Sequence, residues 1–114
     1  MLSSGDVVEL DLGVPEGREA GFARPAVVVT AQRILDRGPS VIHVVPLTST
    51  IRVHESEVVV EPDGHTGLRA RSVAQCQHVR SVASGRVRAT IGNVGPEPTR
   101  QIRETLALLL DLPG

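Results

Sequence analysis

The 114-residue chain predicts a mainly β fold: a small, strongly curved antiparallel sheet or barrel with one C-terminal α-helix. Two patterns carry that prediction. Short alternating or apolar runs recur between frequent glycine and proline turns, as in small β proteins. The period becomes helical only near the end, where Ile102, Leu106, Leu109 and Leu110 recur after Pro98. No repeat, low-complexity tract or linker divides the chain, so residues 1–114 read as one domain with one core.

Val8, Leu10 and Leu12 alternate with Glu9 and Asp11, which makes Val7 to Leu12 a half-buried first strand. Gly13 to Ala23 holds Pro15, Gly17 and Gly21 among Glu16, Arg18 and Glu19. It reads as an exposed loop, longer than a hairpin requires. Arg24-Pro25 opens the second strand, because proline is tolerated at a strand's first residue, and the apolar run Ala26 to Val29 buries both faces. Ala31 to Pro39 is polar, with room for a single helical turn. Val41 to Val45 is the third strand, containing a structural histidine, His43, and leading through Pro46 to Thr48-Ser49-Thr50.

Ser56 to Glu61 is a fourth strand, stopped by Pro62-Asp63-Gly64. Ser72 to Val79 is the fifth, and Arg88 to Val94 the sixth after a break at Ser84-Gly85. Proline belongs in a helix's first turn, so the terminal helix starts in Pro96-Glu97-Pro98 or at Thr99, runs to Asp111 and stops at Pro113-Gly114. Its apolar face most simply covers one open end of the barrel.

No apolar stretch is long enough to cross a bilayer, and Met1 to Asp6 lacks a basic segment followed by an apolar one. The expectation is a soluble cytoplasmic protein. Cys76 is the single cysteine, which excludes an internal disulfide and a cysteine-based zinc site; it reads as a small buried thiol. His54 and His65 stand in loops without metal-like spacing, so neither a metal nor a cofactor is expected. The formal net charge of −1 argues against bulk nucleic-acid binding, but the charge is segregated. Between Gly64 and Pro96 stand Arg69, Arg71, Arg80, Arg86 and Arg88 with no acid. A local phosphate-facing surface and an ordinary solvated sheet face both fit that pattern. All 12 Lys or Arg residues are arginine. GC-rich coding accounts for this first, although a planar guanidinium also suits phosphate.

The order of signals is more specific than any one of them. Gly5-Asp6-Val7-Val8 opens a strand, and Gly17-x-Glu19 follows in a loop. Arg24-Pro25-Ala26-Val27-Val28-Val29-Thr30, Val45-Pro46-Leu47-Thr48-Ser49-Thr50 and Glu57-Val58-Val59-Val60 come next. Ser72-Val73-Ala74, Val79-Arg80-Ser81-Val82 and Ile91-Gly92-Asn93-Val94 precede the terminal helix. Over nearly its whole length the chain resembles the MazF/PemK toxin endoribonucleases. The resemblance implies an SH3-like (CcdB/PemK-type) barrel with a C-terminal helix and a homodimer inhibited by a cognate antitoxin. It also implies metal-independent, sequence-selective cleavage of single-stranded RNA. By the same resemblance Arg24 and Thr48 are catalytic, and Glu19 matches an acid near the site. Three residues depart from the family pattern: Glu9 replaces a frequent aromatic, Ala23 a polar residue, and Gln77 a frequent acid. These departures bear on RNA contacts more than on the core chemistry.

Metal-free RNA cleavage requires activation of the ribose 2′-hydroxyl, stabilisation of the phosphate in transit, and help for the departing 5′-oxygen. Arg24, charged at any working pH, suits phosphate clamping and donation toward the leaving oxygen. Thr48 suits a hydrogen bond that fixes a phosphate oxygen. Glu19 is the candidate general base. Phe22 is the single aromatic residue, so RNA cannot stack on a multi-ring platform. Phe22 stacking one base, Arg80 and Arg86 on phosphates, and Ser49 beside Thr48 make up the expected RNA contacts. The arginines from Arg69 to Arg88 would also receive a disordered acidic antitoxin tail. The alternatives are a non-nucleolytic toxin resembling the CcdB gyrase poisons, and a degenerate member that only binds its antitoxin.

Overall fold

The computed structural model describes residues 1–11, 23–52 and 54–113. Its strands are β1 (Asp6–Asp11), β2 (Ala23–Val28), β3 (Val41–Thr48), β4 (Glu57–Val60), β5 (Ser72–Gln75), β6 (Arg80–Ala83) and β7 (Val87–Asn93). The helical turn α1 (Gln32–Leu35) follows β2, and helix α2 (Pro96–Leu109) ends the chain. The strands pair in the order β4-β5-β3-β2-β1-β7, with β6 also on β3. Every pair is antiparallel.

β3 organises the sheet. One edge takes β2 through Val44, Val45 and Pro46. The other edge takes β6 along Val41 to Val44 and then β5 at Leu47 and Thr48. Pro46, which has no N–H to donate, falls where that second edge changes partner.

The three middle strands are buried on both faces, as the apolar run in β2 requires. Val7, Val27 and Val45 join Leu47, Val58, Cys76 and Ile102 in one core cluster. Val8, Ala26, Val28 and Val44 join Leu10, Leu35, Ile42 and Val82 in the other. Alternation along each strand divides the side chains between the clusters. α2 closes the first through Ile102 and half-buried Leu106, and α1 closes the second through Leu35. Cys76 is fully buried, and that burial pushes its thiol up to about 11, leaving it protonated and inert at neutral pH.

The open seam between the outermost strands is bridged by residues 61–71. The Asn93 N–H donates to the His65 carbonyl at 2.7 Å, and Thr66 is buried there. The Asp63 carboxylate accepts from the His65 and Thr66 N–H groups at 2.7 and 3.0 Å. Those backbone donors hold its pKa below the usual carboxylate range.

Three sequence expectations are corrected. The single fifth strand from Ser72 to Val79 is instead β5, a 3-10 turn over Cys76–His78, and β6. The Cys76 N–H still bonds the Ser56 carbonyl, one step beyond the Glu57–Gln75 pair of β4 and β5, and the Val79 N–H then closes the turn on the Cys76 carbonyl. The third strand runs on to Thr48, because Leu47 and Thr48 pair with Ala74 and Val73. α2 starts at Pro96 within the expected Pro96-Glu97-Pro98, but it ends at Leu109 rather than Asp111, and Leu109 and the following Leu110 are exposed rather than buried. The predicted Gly13 to Ala23 loop and Leu12 lie outside the described residues except for Ala23, which pairs with Asp11. Among the described residues no helix is long and apolar enough to cross a membrane.

Candidate active site

The change of partner along β3 opens a cleft of about 430 Å³. Its apolar floor comes from Leu10, Pro25, Ala26, Val44 and Pro46, and its polar rim from Arg24, Gln75, His78 and Arg80. The rim is built by the local fold. Arg24 enters at the start of β2, opposite Leu10 of β1. Gln75 ends β5, His78 ends the 3-10 turn, and Arg80 begins β6 opposite Val44. Because the turn interrupts the ladder beside Pro46, these three side chains are presented around a gap.

Thr48 is two residues beyond Pro46 on β3, hence on the same face of the strand. The β2–β3 register ends at Ala26 opposite Pro46. Past that pair, Arg24 is the ladder partner of Leu10 on β1 and Thr48 that of Val73 on β5. The Thr48 Oγ1 accepts a hydrogen bond from the Thr50 N–H at 3.1 Å, which orients the hydroxyl at the strand end. Ser49 follows, exposed.

The cleft is cationic. Arg24 and Arg80 line it, and no carboxylate does so among the described residues. A larger hollow of about 700 Å³ lies against α2. Its charges are already engaged: Arg100 with Glu97 and Glu104, and Arg103 with the Ser4 hydroxyl. The smaller cleft brings two guanidiniums, Arg24 and Arg80, onto one partly apolar wall, an arrangement that suits an anion.

The other predicted positions divide. Glu19 and Phe22 lie outside the described residues. Arg86 does not line the cleft; it donates to the Asp11 carbonyl at 3.1 Å and ties down the end of β1. Arg71 is paired with Glu61 at 3.3 Å on the surface. Gln77 points to a separate polar cluster, accepting from the Ser56 Oγ at 2.8 Å and donating to Glu57 at 3.4 Å. Among the described residues, no group of three or more His, Cys, Asp or Glu side chains could hold a metal ion. Sequence reasoning missed Gln75 and His78, because placing the cleft depends on the unrecognised turn at Cys76–His78.

Comparison with known proteins agrees with this fold. The chain is 39% identical over 119 aligned residues to the endoribonuclease MazF9 of Mycobacterium tuberculosis, with 98% of each chain covered. It superposes with a TM-score of 0.80 on a MazE-MazF structure from Deinococcus radiodurans, at 23% identity, covering 98% of this chain and 97% of that one. It superposes with a TM-score of 0.77 on the Mycobacterium tuberculosis toxin MazF-mt6, at 21% identity, covering 96% and 99%. Residues 3–110 match the model of one family, and the chain accordingly belongs to the PemK-like, MazF-like toxins of type II toxin-antitoxin systems.

Proposed function

We propose that the chain is the endoribonuclease toxin of a toxin-antitoxin pair, acting as one domain in the cytoplasm on single-stranded RNA without a metal. The observation that carries this reading is the cationic cleft at the Arg24 end of β2. Arg24 and Arg80 grip the scissile phosphate there, and Thr48, on the same face of β3 as Pro46 of the cleft floor, fixes a phosphate oxygen. The ribose 2′-hydroxyl attacks the adjacent phosphorus, and the 5′-oxygen leaves with the bonding electrons. Arg24 stabilises the charge that builds on the phosphate oxygens, which is worth most in a partly apolar site. The 39% identity to an endoribonuclease favours this reading over a gyrase poison.

The partners follow from the same molecule. Leu108, Leu109, Leu110 and Leu112 are 74%, 44%, 56% and 54% exposed, an apolar patch at and just beyond the end of α2 that supports a homodimer. Arg80 in the cleft supports competition between RNA and an acidic antitoxin segment, with both contacts weakened by salt.

Purified protein incubated with a mixed RNA pool in EDTA tests the proposal. Discrete RNA fragments are expected, with no loss of gyrase supercoiling in a parallel assay. Intact RNA together with inhibited gyrase would overturn it.

A further inference from the structure

RNA cleavage by 2′-hydroxyl attack needs a group that accepts a proton near neutral pH, a role that Arg24, Arg80 and Thr48 do not fill. We propose that His78 is that group: its imidazole takes the proton from the attacking 2′-hydroxyl in the Arg24 cleft. The inference rests on the ribonuclease reading above.

Three observations support it. His78 shares the cleft with Arg24 and Arg80, and it is the one lining residue among those described whose side chain can both take and return a proton near neutrality. Its backbone is held firmly. The preceding Cys76 is fully buried, its N–H is bonded to the Ser56 carbonyl at 3.1 Å, and the Val79 N–H returns to the Cys76 carbonyl at 3.1 Å. The neighbouring Gln77 is committed elsewhere by its bond with Ser56. The turn therefore separates two adjacent side chains, Gln77 into structure and His78 into the cleft. The His78 ring is exposed, so it is accessible to a bound nucleotide.

Among the described residues the charged groups that face it across the cleft are Arg24 from β2 and Arg80 from β6; β1 and β3 present the apolar Leu10, Val44 and Pro46. A neutral imidazole in this setting accepts the 2′-proton as the O2′–P bond forms. The P–O5′ bond breaks, its electron pair stays on O5′, and water protonates that oxygen. The products are a 2′,3′-cyclic phosphate and a 5′-hydroxyl, and the imidazolium returns its proton to solvent.

The test compares wild type, His78→Gln, His78→Ala and Arg24→Ala on one RNA oligonucleotide that the wild type cuts. Binding is measured on the same oligonucleotide with 2′-deoxyribose at the scissile nucleotide. His78→Gln is expected to slow single-turnover cleavage by roughly 10²–10⁴-fold. Binding should stay within about threefold, as for a group that acts on the reacting proton rather than on affinity. The acidic limb of the wild-type pH–rate profile should disappear, and free imidazole should restore part of the His78→Ala rate. Unchanged thermal melting of both variants would show that the loss is not unfolding. Retention of the rate within about threefold in His78→Gln, or persistence of the acidic limb, would overturn the proposal. If the wild type cuts and Arg24→Ala does not, that failure belongs to His78 alone; if the wild type cuts no RNA, the ribonuclease reading fails with it.

Discussion

Replacing Arg24 with alanine should lower single-turnover RNA cleavage by about a thousandfold, a loss of about 4 kcal/mol of transition-state stabilisation. The size follows from its position. In the proposed reaction the Arg24 guanidinium faces the oxygens on which charge accumulates during transfer, and the apolar floor of Leu10, Ala26 and Pro46 limits screening by water. Arg24→Lys keeps the charge but loses the planar fork, so it should recover only part of the rate. The exposed side chain contributes little to the core, and the melting temperature should move far less than the rate. Single-turnover kinetics on a defined oligonucleotide, with melting curves beside them, checks this. Equal rates for Arg24→Ala and wild type would remove Arg24 from the reaction.

The largest effect on stability should come from Gly92→Ala. A Cβ at Gly92 would lie 2.3 Å from the His65 carbonyl oxygen and 2.4 Å from the Thr66 carbonyl group, all backbone. Neither neighbour can swing aside as a side chain would. The Asn93 N–H to His65 bond holds the two segments together at this point, so relief of the overlap opens the seam beside β7. The expected loss is about 3 kcal/mol, lowering the melting temperature by on the order of 10 °C. Gly67→Ala acts on the same seam, with φ +70° and a Cβ 2.1 Å from the Ile91 carbonyl oxygen. Gly64→Ala and Gly85→Ala meet nothing within 4 Å and serve as controls, expected within about 0.5 kcal/mol of wild type. A melting temperature for Gly92→Ala equal to the controls would contradict the packing of residues 61–71 on β7.

Much of the sheet was legible because its signals are local. Alternation exposed β1, the Val-rich run exposed the doubly buried β2, and proline marked the first turn of α2. The break between β5 and β6 was not legible. Cys76, Gln77 and His78 carry neither glycine nor proline, so Ser72 to Val79 reads as one strand with no turn signal inside it. The turn is set from outside the segment, by the Ser56 carbonyl that takes the Cys76 N–H and by β3 changing partners at Pro46. Missing that turn also hid His78, since its approach to Arg24 depends on the turn and not on sequence spacing. The reverse holds for Arg86. Its place in a run of arginines pointed to phosphate, while the fold commits it to the Asp11 carbonyl. Likewise the helical period grouped Leu109 and Leu110 with Ile102, but α2 outruns the core they were expected to reach.

The central claim is that the Arg24 cleft supports attack by a ribose 2′-hydroxyl on its neighbouring phosphate. The most direct measurement uses two oligonucleotides that differ at one atom, the second lacking the 2′-oxygen at the scissile nucleotide, each incubated with the wild-type protein in EDTA. The account predicts that the all-ribose strand is cut to a 2′,3′-cyclic phosphate and a 5′-hydroxyl, while the substituted strand binds but stays whole. Cleavage of the substituted strand at the same bond and a comparable rate would contradict it.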